Sequence, residues 1–272
     1  MKFLHRIFLL CTLIAVSSCG GDDVILVSPN NNSANALFIK KVVHNSYLGN
    51  GELESTLESN YFYSNFRLIR KIDGPPSDSN SFRSEFSYTG DKLTEVKYYE
   101  NNATAPYANT VLEYDGNAIK YVHDLSAYQR KEFIYETNKL IKNVYGAALN
   151  ETEPTVLVDR YEYSLSAGNV MSEYLQIGIP IGLYSGVNAN TFDDKNNPMN
   201  GLSPYYRQAF GGLGFDGYST NNVLTTATYQ DGVLVPTYEY EYDYNSNNYP
   251  TQIRKYYTQT HVLISQTDIE YY

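Results

Sequence analysis

Thr237-Tyr238-Glu239-Tyr240-Glu241-Tyr242-Asp243-Tyr244 alternates aromatic and acidic side chains along its length. A strand sends successive side chains to opposite faces, whereas a helix would scatter these residues around its axis. The stretch therefore reads as a β-strand, with Tyr238, Tyr240, Tyr242 and Tyr244 on one face and Glu239, Glu241 and Asp243 on the other. Unpaired carboxylates cannot be buried, so the acidic face is wet and the aromatic face packs. One packed face and one solvated face suit an antiparallel sheet.

The same alternation recurs outward from this strand. Asn60-Tyr61-Phe62-Tyr63, Glu85-Phe86-Ser87-Tyr88, Val111-Leu112-Glu113-Tyr114, Glu132-Phe133-Ile134-Tyr135 and Arg160-Tyr161-Glu162-Tyr163 each lead through a short polar turn into a second strand. Tyr63, Tyr88, Tyr114, Tyr135 and Tyr163 are 21 to 28 residues apart, the length of one hairpin plus a return loop. A lone hairpin cannot bury its apolar face, so the repeats must pack on one another. The expected fold is all-β: an antiparallel meander of repeated β-hairpins forming a single domain over residues 37–272. The last residues, Gln266 to Tyr272, alternate as well and should form a paired strand.

Glu113-Tyr114-Asp115-Gly116, Gly90-Asp91-Lys92-Leu93 and Asn138-Lys139-Leu140 resemble degenerate tyrosine–aspartate (RHS-like) repeats of uncharacterised Bacteroidota lipoproteins. Phe192-Asp193-Asp194-Lys195-Asn196-Asn197-Pro198 is similar to a variant common in those lipoproteins. The resemblance covers most of residues 55–272 and implies a fold and a location, but no activity. The usual Gly-Arg-Leu step is missing, so a closed toxin-encapsulating shell is not implied.

Residues 176–222 break the rhythm with eight glycines and with Pro180, Pro198 and Pro204, a composition that opposes regular strands. Ser203-Pro204 reads as an N-cap followed by proline at the first helical position, predicting a short helix through about Phe210. An irregular insert in a repetitive sheet either caps an open end or binds something.

The N-terminus reads as a lipoprotein signal. Lys2, His5 and Arg6 precede an apolar run from Ile7 to Val16, and small residues lead to Cys19. The apolar run is about ten residues, where a membrane span needs about 20. Residues 1–18 are thus expected to be removed and Cys19 lipidated, leaving residues 19–36 as a flexible tether. A coil of that length reaches about 20–25 Å. Asp22-Asp23 resembles the export signal of surface-exposed Bacteroidota lipoproteins, so the expected location is the outer membrane, cell-surface exposed, with a periplasm-facing alternative.

Loss of the signal leaves 18 basic residues against 30 acidic ones, a net charge of −12. That balance argues against a nucleic-acid partner and against electrostatic membrane binding, so the N-terminal lipid must supply the membrane contact. Cys11 leaves with the signal, and the mature chain has no disulfide and no thiol nucleophile. Its 29 tyrosines, against 11 phenylalanines and no tryptophan, suit strands covered by amphipathic rings or a sugar-binding surface.

His44, His123 and His261 lack ligand spacing, and no metal or other cofactor is expected. Gly211-Gly212-Leu213-Gly214 lacks the lysine of a phosphate loop, which argues against a nucleotide. No Gly-x-Ser-x-Gly elbow occurs. Paired carboxylates leave a glycoside hydrolase as the alternative, with Asp193 and Asp194 as its best candidates and an Asx-type turn as their other reading. Asn196 and Asn197 add oxygens for calcium, without the glycine and terminal glutamate of a helix–loop–helix site. The preferred expectation is a non-catalytic binding or structural module for a glycan or protein ligand. Its candidate binding residues are Tyr184, Asp193, Asp194, Tyr205, Tyr206 and Tyr218.

Overall fold

The hairpins do not stack in an open row: they close into a ring. The computed structural model describes residues 37–75, 81–100, 103–147, 153–179, 184–210, 217–230 and 233–272. The first strand, β1 (Ile39–Tyr47), pairs antiparallel with β2 (Leu53–Ser64) on one side and with β16 (Val262–Tyr271) on the other. Between them run β3 (Arg67–Asp73), β4 (Phe82–Thr89), β5 (Lys92–Glu100), β6 (Ala108–Asp115), β7 (Ala118–Asp124), β8 (Gln129–Glu136) and β9 (Lys139–Ala147). The circuit continues through β10 (Pro154–Ser166), β11 (Asn169–Ile177), β12 (Tyr184–Phe192), β13 (Val223–Gln230), β14 (Val233–Tyr244) and β15 (Pro250–Tyr257). Each strand pairs with its chain neighbours, and the β1–β16 pair closes the barrel.

The faces follow the alternation. Tyr61, Leu68, Phe86, Leu93, Leu112, Ile119, Phe133, Leu140, Tyr163 and Ile253 share one buried cluster inside the barrel. Charged residues alternate with them on the outer wall, where Lys41–Glu58 (2.9 Å), Arg160–Glu162 (2.8 Å) and Arg254–Asp243 (2.7 Å) form ion pairs. Tight turns, such as Ser64 to Arg67 and Ser166 to Asn169, gather at one end of the barrel. In both, the two central residues have positive φ (Asn65 49° and Phe66 61°; Ala167 50° and Gly168 79°), as tight hairpin turns of matching twist require.

The repeated tyrosine has a specific task. On the returning strand of most hairpins one residue is extra to the ladder: Ile69, Thr94, Lys120, Leu224 and Thr251. Pairing with the next hairpin stops beside this bulge, leaving the preceding carbonyl without a ladder partner. The next hairpin's tyrosine hydroxyl donates to that carbonyl. Tyr88 bonds Leu68 O (2.9 Å), Tyr114 bonds Leu93 O (2.6 Å), Tyr135 bonds Ile119 O (2.9 Å), Tyr242 bonds Val223 O (2.6 Å) and Tyr271 bonds Pro250 O (2.8 Å). Across the closing seam Tyr272 donates to Tyr61 O (3.0 Å). Phenylalanine would fill the same space but leave the carbonyl dry. Tyr114→Phe is therefore expected to cost about 1–2 kcal/mol. Calorimetry should show a melting temperature lower by roughly 2–8 °C, against little change for Tyr121→Phe on the outer wall.

Residues 176–222 are less irregular than their composition suggests. β11 runs on to Ile177, and Tyr184–Phe192 forms a strand. Its register with β11 (Ser172–Ile177) and β13 (Val223–Thr228) supplies from both sides the order that its glycine and asparagines lack. The chain then turns into the barrel's turn end through a 3₁₀ turn, Pro198–Gly201, and the helix α1, Pro204–Phe210. Met199, Leu202, Tyr205, Tyr206 and Ala209 complete the interior cluster as a plug. The helix begins at the expected proline, with Arg207 N donating to Ser203 O (3.0 Å). The Ser203 hydroxyl is buried without a partner among the described residues, so its expected capping bond is not made.

Candidate functional site

The candidate residues do not converge. Tyr205 and Tyr206 are 3% and 4% exposed, and they pack edge-on against Tyr114 (5.1 Å) and Phe86 (5.4 Å). A glycan cannot reach rings that form the plug, which corrects the expectation that they line a binding surface. Tyr218 packs at 4.9 Å on Tyr163 and donates to Gln208 O (3.1 Å), which ties the end of the insert to α1. The side chain of Tyr184 lies outside the described residues, as do residues 1–36 with Cys19, the signal and the tether.

Asp193 is saturated. Its Oδ1 accepts from Lys195 N, Asn222 N (both 3.0 Å), and its Oδ2 accepts from Asn222 Nδ2 (3.0 Å) and the Tyr244 hydroxyl. These bonds fasten the start of the insert to β13 and β14, the work of an Asx-type turn. Asp194 points to solvent and pairs with Lys195 (3.1 Å). Neither carboxylate faces an open cleft with the other, the arrangement hydrolysis requires. The three histidines lie apart: His44 faces inward beside Thr267 (2.7 Å), whereas His123 meets Glu113 (3.1 Å) and His261 meets Glu239 (2.6 Å) on the outer wall. Among the described residues no group of His, Cys, Asp or Glu has metal-binding geometry.

The chemistry sits in the other half of the interior, away from the plug. By the alternation that places Phe133, Leu140 and Ile253 inside, Lys131, Lys142 and Lys255 also face inward. Their ammonium groups have no hydrogen-bond or ion-pair partner among the described residues. Lys142 lies 3.8 Å from the Tyr161 ring centroid and Lys255 lies 3.8 Å from that of Tyr238, positions favoured by the negative ring face. Burial, then the neighbouring Lys131 ammonium, pushes Lys142 down to about 8, with Glu173 and Asp159 opposing. Burial lowers Lys131 against a weaker pull from Asp124, and burial alone lowers Lys255. His44 is lowered by burial and then by Lys255. Tyrosine rings, hydroxyls and half-buried ammonium groups on this inner face offer hydrogen bonding, ring contact and charge to a polar ligand. The sequence signal was a lysine in phase with apolar positions: Lys131 with Phe133, Lys142 with Leu140 and Val144, and Lys255 with Ile253.

Fold and interior together define an antiparallel 16-stranded β-barrel, plugged at one end and polar inside the other. No protein-family model matches the chain, nor does any curated protein. Among solved structures it is similar to a porin-like protein from Bacteroides vulgatus ATCC 8482, at 11% identity over 87% of this chain and 99% of that one, with a TM-score of 0.43. A porin-like protein from Bacteroides uniformis ATCC 8492 is similar at 11% identity over 86% and 98%, with a TM-score of 0.36.

Proposed function

We propose that this chain is a lipid-anchored, non-catalytic binding module of the outer membrane, whose barrel stands in water on its tether. The observation that carries this reading is the charge on the outer wall. A membrane-spanning barrel shows lipid an apolar band about 25 Å tall and keeps its polar groups inside. Here ion pairs on β1–β2, β4, β5, β10 and β14–β15 ring the outside, and the apolar cluster lies within. Membrane contact then falls to the acyl groups on Cys19, at the cell surface. The glycan or protein ligand meets the unplugged, polar end.

Metabolic labelling with an alkyne fatty acid and carbonate extraction test the anchor. The wild-type chain should carry label and stay with membranes, and Cys19→Ala should carry none. Residues 20–272 exported behind an ordinary cleavable signal should appear folded in the soluble fraction, with an unchanged melting curve. A chain that resists carbonate extraction without Cys19 would show that the wall itself meets lipid and would end this reading.

A further inference from the structure

Among the described residues Lys255 differs from Lys131 and Lys142 in having no acid acting on it. Asp159 and Glu173 pull Lys142 upward and Asp124 pulls Lys131 upward, whereas Lys255 is lowered by burial with no opposing carboxylate. Its row of the inner wall is built of hydroxyls. Register carries the row from Tyr240 on β14 through Lys255 on β15 and Ser265 on β16 to Ser46 on β1 and Ser55 on β2. In the adjoining row Thr267 stands opposite His44, their side chains 2.7 Å apart. In a chain of net charge −10, the acidic residues of β14 face outward, away from this ammonium. A half-buried cation without a countercharge is unfavourable unless something supplies one.

We propose that the Lys255 wall binds an oxyanion carried on a small sugar, with Lys255 supplying the charge and the serine and threonine hydroxyls the remaining hydrogen bonds. The proposal rests on the binding-module reading and names its ligand chemistry. Tyr257, 44% exposed and 5.7 Å from Tyr238, offers a ring beside the charge for the sugar's C–H face. A uronate carboxylate and a sulfate ester share this chemistry.

The probes are trigalacturonate, galactose 6-sulfate and neutral galactotriose, added to the anchorless full barrel (residues 20–272). Binding is read by calorimetry and by NMR titration of the His44 ring. Lys255 on β15 is the charged group acting on His44 among the described residues, and Tyr238 and Tyr240 on β14 lie against Lys255. Thr267 on β16 and Leu57 on β2 are the uncharged neighbours of His44. Burial, and then Lys255, hold the His44 pKa down, so an anion that offsets the Lys255 charge should raise it. Lys255→Met should raise it without any probe, abolish the further rise, and weaken anion binding at least tenfold. Its melting temperature should not fall, since an unpaired buried charge is removed. Binding of trigalacturonate alone identifies a carboxylate ligand, and binding of the sulfated sugar alone a sulfate ester; either supports the site. Equal binding of galactotriose, or anion binding unchanged in Lys255→Met, overturns the proposal and leaves the binding module intact. Binding of no probe also overturns it, while the anchor experiment decides separately whether the barrel is a tethered module.

Discussion

Deleting residues 266–272 is expected to abolish cooperative folding, because these residues are half of the seam that closes the barrel. They pair with Ile39–Asn45 along β1, and the pairing continues to Tyr272 N, which donates to Phe38 O (3.0 Å). The deletion also removes Thr267 and Ile269, 3% and 4% exposed, and the two tyrosine hydroxyls that satisfy Pro250 O and Tyr61 O. Burial of each large side chain stabilises by roughly 1.5–3 kcal/mol, and each hydrogen bond adds about 1 kcal/mol. Their sum is comparable with the whole stability of an ordinary domain, about 5–15 kcal/mol. What remains has two raw edges, β1 and β15, each a template for pairing with another chain. Size-exclusion chromatography should find the truncated protein in large aggregates, and calorimetry should find no sharp transition. A monomer with the parent's melting curve would show that the seam does not hold the barrel closed.

This seam marks the boundary of what local pattern could say. The strand character of Thr237–Tyr244, the hairpins headed by Tyr63, Tyr88, Tyr114, Tyr135 and Tyr163, the helix at Pro204 and the C-terminal strand all rest on residues near one another in the chain. Each is written in alternation or in a helix start. Closure is different, because it joins Val42 to Ile269 across almost the full length of the domain. Neither strand carries a mark that names the other. The tyrosine repeat was legible as a rhythm, but its cause, a hydroxyl reaching the bulge of the preceding hairpin, appears only once consecutive hairpins lie side by side. Tyr205 and Tyr206 were read as ligand-facing because ring density does not say on which side of a wall a ring lies. Their helix enters the barrel and takes them with it. The inward lysines were missed for a related reason. Charge suggests the outer wall, and only the phase shared with Phe133, Leu140 and Ile253 shows that they face the interior.

The plug makes the sharpest demand on a single residue, Gly201. It lies against the segment entering β1, where a Cβ would fall inside van der Waals contact of the Leu37 carbonyl oxygen, 2.9 Å from Leu37 C and 3.3 Å from Phe38 Cα. These are backbone atoms, so no side-chain rotation can relieve the overlap. Either the 3₁₀ turn lifts away, pulling Met199 and Leu202 (1% and 2% exposed) from the core, or the start of β1 shifts and strains the closing seam. Overpacking a core usually costs about 1–3 kcal/mol, and a clash between two backbones belongs at the top of that range or above it. Gly201→Ala should therefore lower the melting temperature by roughly 6–12 °C and increase binding of a hydrophobic dye as the plug loosens. Gly49→Ala is the matched control, since a Cβ there meets nothing within 4 Å. If Gly201→Ala melts within about 2 °C of the parent, less than 1 kcal/mol has been lost. The plug would then be a loosely held insert rather than part of the barrel's core, and the closed turn end assigned to it would have to be given up.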